Sequence, residues 1–499
     1  MASTLLSPTL ADYTSHVHLD TLGKSGKEHQ GSGYMSTLSN IADAVSSRRG
    51  SFIQPVDIVN AVNEEEILEN QDLKLPSRAS LFVIIGGNAL FQLSFFIVVS
   101  SASVYANHLG GTATFAGLII GIPTVFSGIG LIFITRLDKG QYAMPFNIAY
   151  AAAILGNIIY ALAYRSNWLY MILIGRVVAG FGFISFMYSK RYCSDPRIIG
   201  LRRRTTLAGL LVVGQAFGFS AGPFLGGLLY KIGFGNKVFN GVTSPGWVMA
   251  GIWVLFWALS NLIFKDVTAP HRSRSEEVEN IELSTINATD QAQVQATEDV
   301  AQHHISSQQW GVIICMCYYS MTCFFILGSW ESNIPVFTAK ILGYTPYNAG
   351  NFIALGGITS FPFLFLNVWY ARRIQDRVIL GAGTSLGFAG LIIMLAILLS
   401  DRVTFGSLFI CWFLVALGFN LASTCTLSLL SKQLPGAWNN RVSMAIQYSN
   451  YTGRVTGAIL GGAGVKIGMV NYAVIQIVVV ALGGLMYMTL WRQLKAKTG

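Results

Sequence analysis

Charge is scarce in this chain. Only 11% of its 499 residues are Asp, Glu, Lys or Arg, whereas a soluble domain carries about 25%. Acidic residues are the rarer sign, 23 against 33 Lys and Arg, for a net charge of +10. Catalytic parts are missing as well. No complete Gly-x-x-x-x-Gly-Lys-Ser/Thr loop is present to cradle a nucleotide phosphate, which argues against ATP-driven pumping, and no His-x-x-x-His or paired Cys-x-x-Cys offers metal-ligand spacing. The chain is therefore expected to be no enzyme and to hold no metal or cofactor. Cysteine is sparse. Cys315, Cys317, Cys323, Cys411 and Cys425 fall in apolar runs and Cys193 in a connecting loop, so no disulfide is expected.

What is abundant is apolar: 53% of residues are hydrophobic and the mean hydropathy is +0.53. Runs of about 20 apolar residues are long enough to cross a hydrocarbon core about 30 Å thick. They centre on Leu90, Pro123, Ile154, Arg176, Gly218, Leu255, Cys317, Gly357, Gly387, Leu417, Thr452 and Val479. The runs around Pro123 and Thr452 are the most diluted by glycine, proline and polar residues. The fold class is thus an all-α membrane protein of twelve transmembrane helices, divided six and six by a polar stretch. Residues 1–78, rich in Ser and Gly and carrying Glu64-Glu65-Glu66, lack the apolar surface to fold alone and read as a disordered tail. No signal peptide is expected ahead of them. The N-terminal six-helix bundle then covers 79–265, a linker 266–309, the C-terminal bundle 310–493 and a short tail 494–499.

Lys and Arg set the orientation. With the tail in the cytosol, the short loops on that side and the helix ends beside them hold sixteen, from Arg136 to Lys497, and the opposite loops hold six. Both termini are therefore expected in the cytosol. Topology and attraction to the membrane surface account for the positive charge, and no nucleic-acid partner is expected. The sequon at Asn287 falls on the cytosolic linker and should stay unglycosylated.

Glycine is concentrated where a helix would not want it. The stretch GFSAGPFLGG, Gly218 to Gly227, sits in an apolar run, although glycine in a soluble helix loses about 1 kcal/mol against alanine and proline about 3. In lipid, close packing takes the place of the hydrophobic effect, and small residues four apart make a face on which another backbone can lie. Gly218, Gly222, Pro223, Gly226 and Gly227 read as such a seam, with Pro223 bending the helix. The seam has an echo. GRVTGAILGGAGVKIG from Gly453 matches GFSAGPFLGGLLYKIG from Gly218 at Gly, Gly, Gly-Gly and Lys-Ile-Gly, and WFLVALGF from Trp412 matches RVVAGFGF from Arg176 at Gly-Phe. A parallel repeat of six helices is the mark of a two-bundle transporter.

These residues resemble the major facilitator superfamily. GFSAGPFLGG fits the G-x-x-x-G-P-x-x-G-G motif of its fifth helix and RVVAGFG the R-x-x-x-G-x-G motif of its fourth. The loop signature after helix two survives in part as RLDKG, with Asp138, and its counterpart after helix eight as ARRIQDRVILG, with Asp376 and Arg377. The resemblance covers residues 79–493 and implies two bundles that rock about a central site. Within it, QAFGFSAGP, WESNIPVFT, RRIQDRVILG, LLSKQLPG and TGRVTG look like the endolysosomal branch, which includes the ceroid-lipofuscinosis membrane protein and the SPX-domain vacuolar transporters. Residues 1–78 do not resemble an SPX domain, so the phosphate sensing of that group does not carry over.

Charges inside spans point to chemistry, because each needs a partner or water. Arg176 and Arg454 lie near mid-depth, and Glu331 is placed further toward the far side of the seventh span. Amides on other spans, among them Gln92, Gln215 and Asn450, join them as candidate solute- or proton-coupling residues. Arg176 either braces the fourth span or couples protons, the role its motif implies. Arg454 contacts an anion or forms a structural ion pair, and Glu331 carries a proton or is the permanent partner of an arginine. Asp138, Asp376 and Arg377 read as a gate. The function that emerges is a monomeric secondary active transporter, in a lipid bilayer, moving a small anionic solute by alternating access coupled to protons. A proton-antiport exporter of drugs or metabolites, an anion channel and a non-transporting receptor are the alternatives. The branch resemblance favours the vacuolar or endolysosomal membrane over the plasma membrane.

Overall fold

The computed structural model describes residues 75–138, 140–195, 197–199, 201–266, 306–370, 374–433 and 439–495. The chain divides into Met1–Gln71 and Asp72–Gly499, and every described residue belongs to the second unit. The acidic run Glu64-Glu65-Glu66, the sequon at Asn287 and most of the linker lie outside the described residues.

Every regular element among the described residues is helical. The first span is built from α1 (Arg78–Phe96) and the short α2 (Ala102–His108), with an irregular stretch at Ile97–Ser101 between them. Spans two and three are α3 (Ala113–Leu137) and α4 (Ala143–Ser166). The fourth is broken into α5 (Leu169–Gly182) and α6 (Ser185–Ser194). The fifth and sixth are α7 (Leu201–Ile232) and α8 (Ser244–Ile263). The second half repeats the plan with α9 (Ser307–Leu342), α10 (Pro346–Tyr370), α11 (Asp376–Leu399), α12 (Phe405–Gln433), α13 (Asn439–Ile467) and α14 (Met469–Thr489). Eleven of the twelve spans are long and apolar enough to cross a bilayer. The remaining one, the eleventh span α13, runs 29 residues and carries the polar Asn450, Thr452 and Arg454, which dilute its hydropathy. Pro123 does not end α3, which continues through it.

Local sequence explains the helix ends. Ser306 opens α9 with a capping box: its Oγ accepts from the Gln309 N–H at 3.2 Å, and the Gln309 side chain accepts from the Ser306 N–H at 2.9 Å. The same helix stops at Gly343, whose φ of 65° suits glycine. Cys193, expected in a loop, lies instead in the buried last turn of α6. The fourth span resumes after its break at Phe183-Ile184 and carries the cysteine into the helix. All six cysteines are free thiols.

The glycine repeat is visible in the packing. In α7, a Cβ at Gly218 would lie 2.7 Å from the Ala89 carbonyl oxygen, and Gly222 and Gly226 abut the backbone at Phe96 and Ile97, so α7 lies directly on the first span. In α13, Gly453, Gly457 and Gly461 abut the backbone at Met321, Phe325 and Ser329, so α13 lies in the same way on the seventh. The last glycine of each set turns outward to the other bundle. Gly227 faces Pro346 and Tyr347 of α10, and Gly462 faces Ala113 and Gly117 of α3. One motif, used twice, thus closes each bundle and seats it on its partner.

Two helix pairs join the bundles. On one seam α3 meets α13 through Gly117, Gly121 and Gly128, and Thr124 and Ser127 hydrogen-bond to Tyr451. On the other, Gly350 and Gly357 of α10 pack on Pro223, Phe219 and Ser220 of α7, and the Lys231 ammonium lies 4.4 Å from the Tyr347 ring centroid.

Candidate functional site

Arg454 of α13 and Glu331 of α9 form a buried, two-pronged ion pair. Nη1 donates to Oε1 at 3.3 Å and Nη2 to Oε2 at closer range. Glu331 is fully buried and Arg454 nearly so. The register of the two helices, Gly453 on Met321, Gly457 on Phe325 and Gly461 on Ser329, places the Glu331 backbone further toward the far side than that of Arg454, and the long arginine side chain reaches along the seam to it. Gly328, one turn before Glu331, lets the Arg454 backbone approach, since a Cβ there would lie 2.9 Å from the Arg454 carbonyl oxygen.

The pair faces the other bundle. The Arg454 guanidinium lies 5.0 Å from the ring centroids of both Phe95 and Phe96, the last two residues of α1. Arg176 of α5 reaches the same Phe95 ring at 5.6 Å. Its Nε donates to the Ile119 carbonyl at 3.2 Å, its Nη2 is buried without a hydrogen-bond partner, and the residue is 2% exposed. Among the described residues no carboxylate lies within ion-pair distance of Arg176. One aromatic ring thus joins two guanidiniums from opposite bundles, of which one is neutralised and one is not. Such contacts are worth about 2 kcal/mol when desolvated.

The other expected residues scatter. Asn450, one turn before Arg454, accepts a hydrogen bond from Ser320 Oγ of α9. Gln92 lies beside Gly218, and Gln92 and Gln215 are half-buried, away from the ion pair's hydrogen bonds. Of the three gate residues, Asp138 and Arg377 have contacts within their own bundles. Asp138 pairs with Arg191 and accepts from the Gly140 N–H at 2.7 Å. Asp376 is buried in the first turn of α11. Arg377 donates to Gln375 at 2.8 Å and to the Trp491 carbonyl at 3.1 Å, with its guanidinium 4.3 Å from the Trp491 ring centroid.

Two polar contacts were not foreseen. Trp330, beside Glu331, donates from Nε1 to Gln476 of α14 at 2.9 Å and stacks on Trp412 of α12 at 6.0 Å. Asn157 of α4 donates to Ser94 at 3.2 Å and to the Ala153 carbonyl at 2.8 Å. The signal was available, because a lone amide in an apolar run is driven to face protein.

Two six-helix bundles related by a repeat and meeting at buried charge define a multi-pass membrane transporter. The sequence model of the Major Facilitator Superfamily matches residues 84–458, and the chain belongs to that superfamily. It is 30% identical over 474 residues to an uncharacterized MFS-type transporter of Schizosaccharomyces pombe, covering 93% of this chain and 89% of the relative. It is 25% identical over 393 residues to an SPX domain-containing membrane protein of Arabidopsis thaliana, covering 70% of this chain and 56% of that one. Its fold is similar to that of a POT family transporter solved with a thioalcohol-conjugated peptide, with TM-score 0.63 and 12% identity over 84% of this chain and 99% of that one.

Proposed function

We propose that the protein is a proton-coupled secondary transporter of a small anion, and that the Arg454–Glu331 pair is where proton and anion meet. The observation that carries this reading is the arrangement around Phe95: two guanidiniums from opposite bundles on one ring, of which only that of Arg454 is paired with a carboxylate. Loading a proton on Glu331 removes its charge and weakens its claim on Arg454. The forked donors of Arg454 are then released to a carboxylate or phosphate, for which a planar guanidinium is suited. Arg176 adds a second positive charge from the other bundle, so an anion bound between them favours their approach. Proton and anion are thereby bound together, and the solute's charge replaces the one lost from Glu331.

Under the positive-inside reading both chain ends lie in the cytosol, and the similarity to SPX-domain membrane proteins supports a vacuolar or endolysosomal membrane. The test of the anion contact is uptake of a panel of radiolabelled phosphate and small carboxylates into proteoliposomes. Arg454→Lys should weaken uptake substantially and Arg454→Ala nearly abolish it. Undiminished uptake in correctly folded Arg454→Ala would remove Arg454 from the solute site.

A further inference from the structure

In α3 the ring nitrogen of Pro123 carries no hydrogen, so the Ile119 carbonyl one turn earlier loses its helical donor. With no water in the hydrocarbon core, such an acceptor has to be satisfied by protein. Arg176 does this, donating from Nε at 3.2 Å. One turn further along α5, Gly180 stands against the proline itself: a Cβ there would lie 2.6 Å from the Pro123 carbonyl oxygen and 2.9 Å from its Cα. Arg176 and Gly180 are four apart on the fourth span, and Ile119 and Pro123 are four apart on the second. The arginine takes the freed carbonyl while the glycine seats the proline. With Nε committed, the guanidinium is held in one orientation, with Nη2 buried and unpartnered and the group on the Phe95 ring that it shares with Arg454.

We propose that Pro123 is a positioning residue for the solute site: by withholding an N–H it reserves the Ile119 carbonyl for Arg176, and so aims the unpartnered end of that guanidinium at the site between the bundles. This rests on the reading of Arg176 as an anion contact and adds a residue that acts only through it. Pro123→Ala restores the missing N–H, and the helix competes for the Ile119 carbonyl. With Arg176 present, the re-formed helical bond turns that oxygen toward the helix axis and weakens its bond to Nε of a buried cation. Where residue 176 has no such donor, the same substitution merely completes a helix.

The test is a double-mutant cycle on the purified full-length protein in detergent, with thermal unfolding followed by tryptophan fluorescence. Pro123→Ala should lower the midpoint by about 2 °C or more in the wild type, and leave it unchanged or raise it in Arg176→Met. Equal shifts in the two backgrounds overturn the proposal. A second measurement needs no folded Arg176→Met. In protein labelled with 15N-arginine, the Nε–H signal assigned to Arg176 by its absence from Arg176→Lys should exchange slowly with deuterated water and lose that protection in Pro123→Ala. An unchanged exchange rate overturns the proposal equally. Neither measurement involves solute, so the positioning role and the anion reading fail separately.

Discussion

Gly226 and Gly227 are neighbours with different partners, and alanine at each should produce different defects. Gly226 lies against the backbone of its own bundle at Ile97, while Gly227 lies against Pro346 and Tyr347 of the other. A Cβ at Gly227 would sit 2.9 Å from Tyr347 Cα and 3.0 Å from the Pro346 carbonyl oxygen, so α7 and α10 must part by roughly 0.5 Å to restore ordinary contact. Overpacking of this kind costs about 1–3 kcal/mol. Because the strain exists only while α7 and α10 are in contact, that energy becomes about a 5- to 150-fold shift toward a state in which they part. Ser100 is fully buried at this seam, its Cβ 3.2 Å from where a Cβ on Gly350 would be. A Ser100→Cys reporter should therefore react faster by that factor with an impermeant thiol reagent when Gly227→Ala is added. Gly226→Ala should instead lower thermal stability. A labelling rate unmoved by Gly227→Ala, with thermal stability lost to the same extent in both variants, would refute the division of labour between the two glycines.

Two further perturbations test the supporting structure. Asp195, just past α6, is 7% exposed; burial disfavours its charge, but bonds from Arg197 and Tyr142 outweigh that and hold its pKa at about 2, below the usual 3.8. A depressed carboxyl stabilises the fold above its unfolded pKa and loses that contribution as pH falls toward 2. Asp195→Asn should accordingly cost about 1–2 kcal/mol at neutral pH, and its unfolding midpoint should converge on that of the wild type only below about pH 4. Gln476→Leu leaves the Trp330 indole N–H buried without its acceptor and should cost about 1–3 kcal/mol; Trp330→Phe in the same background should recover part of the loss in thermal unfolding.

The architecture was legible because lipid makes it so. Span length and the repeated glycines at 218 and 453 each report a packing requirement that leaves few other ways to fold. The breaks in the first and fourth spans were not legible, because FFIVVSSASVYA reads as one apolar run, and hydropathy carries no record of where the backbone stops being helical. Pairing was the second gap. Arg176, Arg454 and Glu331 stand out as charges in apolar runs, but which arginine meets the carboxylate depends on how α9 and α13 are juxtaposed and on how far the arginine side chain reaches along the seam. The partner of Arg176 was hidden more thoroughly. It is a backbone carbonyl whose availability is written in the sequence only as a proline four residues later. Asp138, Asp376 and Arg377 look like a gate from their motif, and the contacts of Asp138 with Arg191 and of Arg377 with Trp491 each lie within one bundle.

The central claim is that Glu331 carries the proton that drives the solute. The direct measurement is solute movement in proteoliposomes with wild-type protein and Glu331→Gln, once under an imposed pH gradient and once as exchange of preloaded for external solute with no gradient. The account predicts that Glu331→Gln keeps exchange, because neutral glutamine leaves Arg454 free to hold an anion, and that it no longer concentrates solute in response to the gradient. Gradient-driven accumulation by Glu331→Gln equal to that of the wild type would contradict it, and would leave Glu331 as nothing more than the ion-pair partner of Arg454.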